Sequence, residues 1–100
     1  MEPKEIKIFS YLPNSAIVQL PERKFPGIIL QGDSLSILFD QAKEIYLRAK
    51  QLPDEEIQYE ALMMVEIIQE YLSHYEEVLN KHGLELPYGI SIRERKIQEE

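Results

Sequence analysis

The chain has no cysteine, which removes disulfides, thiolate metal sites and cysteine nucleophiles together. It also lacks any long apolar run. The longest, Ala61 to Val65, falls far short of the roughly 20 residues that a membrane helix needs. The start of the chain, Met-Glu-Pro-Lys-Glu-Ile-Lys, carries charge where a signal peptide needs an apolar stretch, so a cytoplasmic protein is expected. Basic residues are in deficit: 11 Lys and Arg against 18 Asp and Glu give a formal charge of −7. Such a surface repels phosphate backbones, so no nucleic-acid partner is expected, whereas a basic protein partner is compatible with it.

What is present is an ordinary globular composition, 44% apolar and 29% charged over 100 residues, enough for one core without staples. Glu5 to Leu12 alternates as a strand, with Ile6, Ile8 and Leu12 on one face and Phe9 and Tyr11 on the other. Pro13-Asn14-Ser15 signals a turn, and Ala16 to Leu20 a second, antiparallel strand. After the loop Pro21 to Gly27, Ile28 to Gln31 gives a short third strand.

At Gly32-Asp33-Ser34 the period changes from two to seven. Leu35, Leu38, Ala42, Ile45, Ala49 and Leu52 recur at steps of three and four as the seam of a packed helix, with Asp33 or Ser34 as its N-cap and Pro53 as its stop. Asp54 caps a second helix, whose seam is Ala61, Val65, Ile68, Leu72, Tyr75 and Leu79. Gly83 supplies its C′ residue, followed by Leu84. Two seams joined by so short a link form an antiparallel helical hairpin. The expected fold is therefore α+β, a three-stranded antiparallel β-meander packed on a long helical hairpin in the order β-β-β-α-α. A single domain is expected over residues 1–88, with a charged C-terminal tail over 89–100, in which Ile90 and Ile92 could add a brief edge strand.

The helices differ in length. At about 1.5 Å per residue, Asp54 to His82 spans roughly 43 Å and Ser34 to Gln51 roughly 27 Å, so Leu72 to His82 overhangs. Phe25, Pro26 and Leu86-Pro87-Tyr88 are the nearest material for a lid. This groups Arg23, Gln31, Asp33, Tyr75, Glu76 and Tyr88 as a candidate binding neighbourhood or structural joint, of which the joint is preferred. Between Ile57 and Ile68, nine of twelve residues are apolar, and Tyr59, Met63 and Ile67 lie away from the seam. A helix apolar on two sides is covered twice, by the sheet or by a second subunit, which makes those three residues candidates for a dimer interface.

Gly32-Asp33-Ser34-Leu35 spells the block of the GDSL esterases, which carry their base in an Asp-x-x-His. Neither His74 nor His82 has an aspartate three residues earlier, so no catalytic residue is assigned and helix capping accounts for the block. Glu70, His74 and Glu77 share a helix face, but a facing element must complete a helical metal site. They are read as a solvated face, and no metal or cofactor is expected.

The stretch Arg23-Lys24-Phe25-Pro26-Gly27, then Gln31-Gly32-Asp33-Ser34-Leu35, resembles the signature of a small bacterial family of uncharacterised proteins. Its pattern closes with a His-Tyr-Glu, here His74-Tyr75-Glu76, and a Leu-Pro-Tyr, here Leu86-Pro87-Tyr88. The resemblance runs from Glu5 to Tyr88 and implies no activity. The residues therefore favour a non-enzymatic interaction module, homodimeric or bound to another protein. Its more pointed form is an acidic, immunity- or antitoxin-like protein that neutralises a basic effector. The rival is a small-molecule-binding protein or minor hydrolase using the Arg23, Asp33 and Glu76 neighbourhood.

Overall fold

In the computed structural model, which describes residues 5–97, three strands precede two long helices and a final helical turn. The charged start of the chain and the last three residues of the expected tail lie outside the described residues. Strands β1 (Lys7–Leu12), β2 (Ser15–Gln19) and β3 (Gly27–Leu30) form one antiparallel sheet in chain order. Pro13 and Asn14 make the tight link between the Leu12 and Ser15 partners, Pro13 contributing its fixed φ. The register slips between Ile8 and Ser10, leaving Phe9 as the extra residue of a bulge. That slip corrects the expected alternation. Ile8 pairs with Val18 while Leu12 pairs with Ser15, so Ile8 shares a face with Tyr11 and Leu12 stands on the other.

Helix α1 (Gly32–Ala49) and helix α2 (Glu55–Lys81) form the antiparallel hairpin. Asp54 caps α2 as its sequence position predicts, its carboxylate accepting from the Glu56 N–H at 3.0 Å and the Ile57 N–H at 3.2 Å. At the far end Gly83 takes φ 66°, and the Leu84 N–H donates to the Leu79 carbonyl at 2.9 Å. Only a residue without Cβ enters that left-handed conformation freely, so the glycine ends the helix cleanly. The α1 cap differs from expectation. Its N-cap is Gln31, with no side-chain capping bond, and Asp33 instead accepts the Ser34 N–H from inside the first turn at 2.8 Å.

The seam of α1 keeps Leu35, Ala42 and Ala49 as expected but takes Phe39 and Tyr46 in place of Leu38 and Ile45. Gly32, Ser36, Phe39, Ala42, Tyr46 and Ala49 are buried, while Leu38, Ile45 and Leu52 are exposed. Both stripes are apolar at helical spacing, and the deeper one carries the rings of Phe39 and Tyr46 against Val65 and Leu72 of α2. The α2 stripe runs as expected through Ala61, Val65, Ile68, Leu72 and Tyr75.

Two parts of the chain behave unlike their sequence signals. The segment expected to be a tail folds back as helix α3 (Ile92–Arg95), with Ile92 buried in the core and Ile97 packed against it. No edge strand forms there among the described residues. The sheet, in turn, lays neither face over the hairpin: among its described residues only Val18 is buried. The molecule is accordingly long, 53 × 31 × 27 Å, with a radius of gyration of 16.4 Å against about 13 Å for a compact chain of this length. Among the described residues, no helix is long and apolar enough to cross a membrane.

Candidate functional site

The polar centre of the molecule lies where α2 outruns α1. Glu76 faces inward there and is buried. One of its oxygens, Oε2, accepts the Tyr88 hydroxyl and the Ile92 backbone N–H, both at 2.7 Å. A buried carboxylate is tolerable only with such donors, and these two come from the segment after α2. Burial, then the hydrogen bond to Glu76 and the charge of Glu76, push the Tyr88 phenol above its ordinary value, with Arg95 opposing.

Arg95 closes the other side. Its Nη1 donates to Asp40 Oδ1 of α1 at 2.9 Å, and its guanidinium lies over the rings of Phe39 (5.6 Å) and Tyr88 (5.0 Å). The buried Nε and Nη2 have no hydrogen-bond partner among the described residues. The two aromatic faces meet them instead, a placement that suits the weakly hydrated guanidinium. Lys43 donates to the Arg95 carbonyl, and the Ile97 N–H donates to Gln69 Oε1 at 2.9 Å, so both long helices grip the returning chain. Beside this joint lies a cavity of about 350 Å³ whose lining includes Asp33, Asp40, Tyr88 and Arg95.

Of the six residues grouped from sequence, the structure places four at or beside this centre. Glu76 and Tyr88 are bonded, Tyr75 packs against the core, and Asp33 lines the cavity beside Tyr88. Tyr75 also explains Gly32: a Cβ at position 32 would overlap the Tyr75 ring. Gln31 is the exposed N-cap of α1. Arg23 stands in the β2–β3 loop, exposed, with its N–H on the Leu20 carbonyl at 3.3 Å. Phe25 is no lid, since it is 73% exposed and carries Lys24 over its ring. Of the expected lid it is Tyr88 that packs on the overhang, joined by Ile92. Arg95, and with it its partner Asp40, escaped the sequence reading because Arg93-Glu94-Arg95-Lys96 resembles a solvated tail, and Ile92 was read as a possible edge strand. The available signal was Ile92, four residues after Tyr88.

Tyr59, Met63 and Ile67 are all exposed on the outer face of α2, so the sheet does not cover them. No three His, Asp or Glu side chains converge as a metal site among the described residues. Ser34 makes no hydrogen bond to either histidine in the described bonds; its N–H is held by Asp33. The assembled chemistry is that of a joint: one carboxylate with two donors, and one cation pinned between an aspartate and two rings.

A model of a family of unknown function (DUF6959) matches residues 1–88. No curated protein matches the chain, and neither does any solved structure.

Proposed function

The chain belongs to this family of unknown function, and we propose that it is a non-enzymatic protein-interaction module acting as a homodimer. The observation that carries the reading is the sheet. Ile8, Tyr11 and Ile29 are exposed on one face of it, and Leu12, Ile28 and Leu30 on the other. A small sheet is stable in water only when it packs an apolar face on something, and contiguous apolar surface marks an interaction site. Among soluble oligomers the two-fold homodimer is by far the commonest arrangement, and it is one that covers such surface.

Light scattering on the full chain at micromolar concentration tests the reading. A mass twice 11.8 kDa is expected. A single species at the monomer mass removes the homodimer. A second reading, docking of a basic protein, draws on α2, because Gln51 to Asn80 holds no Lys or Arg and is rich in Asp and Glu. A monomer that forms a salt-sensitive complex with a basic partner would favour that reading.

A further inference from the structure

Among the described residues, the chain covers one flank of the hairpin and leaves the other open. The C-terminal segment lies along the flank marked by Asp40, Lys43 and Gln69. On the opposite flank Leu38 and Ile45 of α1 face Ile57 and Met64 of α2 across an open apolar groove of about 510 Å³. This is where the expected seam residues of α1 went. Among the described residues this groove and the sheet are both uncovered apolar surfaces.

Resting on the homodimer reading above, we propose that the sheet of each protomer docks in the hairpin groove of its partner, so that two copies exchange covers around a two-fold axis.

The chain's own sheet cannot fill the groove. Only Gln31 separates β3 from α1, which ties the sheet to the N-terminal end of that helix. Ile45 lies thirteen residues further, about 20 Å away along the axis at 1.5 Å per residue. An antiparallel second copy brings its sheet to that distant end.

The surfaces match in area and charge. Leu12, Ile17, Ile28 and Leu30 share one sheet face through the Leu12–Ser15–Leu30 and Ser10–Ile17–Ile28 rows. These four and the four groove residues are 36–63% exposed. Together they offer on the order of 800 Å² per protomer, what each partner of a standard interface buries. Lys7 pairs with Gln19 at one end of the sheet, and Arg23 and Lys24 follow in the adjoining loop, outnumbering Glu5 and Glu22. The turn end of the groove is lined by Asp54, Glu56 and Glu60. The basic end of one sheet thus meets the acidic end of the other groove, which sets the direction of docking.

The absence of native cysteine makes the test direct. Ile28→Cys and Met64→Cys variants of the full chain, mixed and oxidised, are expected to give a disulfide-linked dimer that neither variant gives alone. Leu12→Cys, on the same sheet face, replaces Ile28→Cys if circular dichroism shows the latter unfolded. Self-linkage of Ile28→Cys would mean sheet-on-sheet pairing, and self-linkage of an Ile67→Cys variant would place the interface on the outer face of α2. Either result overturns the exchange while leaving the homodimer standing, as does a dimer by light scattering with no cross-link in the mixture. A monomer by light scattering overturns both.

Discussion

The ring of Tyr75 occupies the space beside Gly32 where any side chain would begin. The contact joins the first turn of α1 to the overhanging part of α2, and it exists because position 32 has no Cβ. Gly32→Ala is expected to destabilise the fold by about 1–3 kcal/mol, the usual penalty of overpacking. The loss should shrink in a Tyr75→Ala background, because the overlap is then gone. Urea unfolding of the two single variants and the double variant measures that coupling.

Glu76 holds the C-terminal segment through one oxygen. Glu76→Ala leaves the Tyr88 hydroxyl and the Ile92 N–H without their acceptor, and is expected to destabilise by about 3 kcal/mol. Hydrogen exchange gives the sharper signature. The Ile92 amide should lose protection, while Val65, in the middle of α2, should keep relatively more. Equal loss at both positions would show that the segment and the hairpin unfold as one unit.

The raised phenol of Tyr88 makes part of the stability pH-dependent. In the unfolded chain a tyrosine ionises near pH 10. In the fold Tyr88 keeps its proton to higher pH. Above pH 10 the unfolded state therefore binds fewer protons than the folded state, and stability falls as pH rises. Tyr88→Phe is expected to destabilise by about 1–2 kcal/mol at pH 8 through loss of the bond to Glu76. The gap between variant and native chain should then narrow between pH 10 and 11, since the phenylalanine has no proton to lose. Chemical denaturation at pH 8, 10 and 11 checks both parts.

Arg23 is expected to behave as a surface residue. Its side chain is exposed in the β2–β3 loop, so Arg23→Ala should change monomer stability by less than about 0.5 kcal/mol. A loss of 2 kcal/mol or more in dilute solution would mean that Arg23 reaches a buried acid after all.

The features legible in the sequence were those with local causes. Asp54 caps α2 because its carboxylate meets N–H groups two and three residues ahead, and Gly83 ends it because only position 83 itself must turn left-handed. The hairpin follows from two helical periods and a link too short for anything else. The strands and their antiparallel order follow in the same way from alternation and the turn at Pro13-Asn14. All of these are decided within a few residues along the chain.

Tertiary structure decided the rest. Leu38 and Ile45 form as good a stripe as Phe39 and Tyr46, and the side on which α2 lies selects between them; the larger rings fill more of the space between the helices. The bulge at Phe9 moved Ile8 and Leu12 to opposite faces, because pairing with β2 and not alternation within β1 sets the register. The helix overhang already groups Glu76 with Tyr88, but the second donor to its carboxylate, the Ile92 N–H from 16 residues away, is set only by the returning chain. Arg95 belongs to the core only because Asp40 and the rings of Phe39 and Tyr88 stand where it returns. Local hydrogen bonds and periodicity were enough to write the three strands and the two long helices, but not α3. Which apolar faces meet, and which stay exposed, depended on contacts between distant parts of the chain.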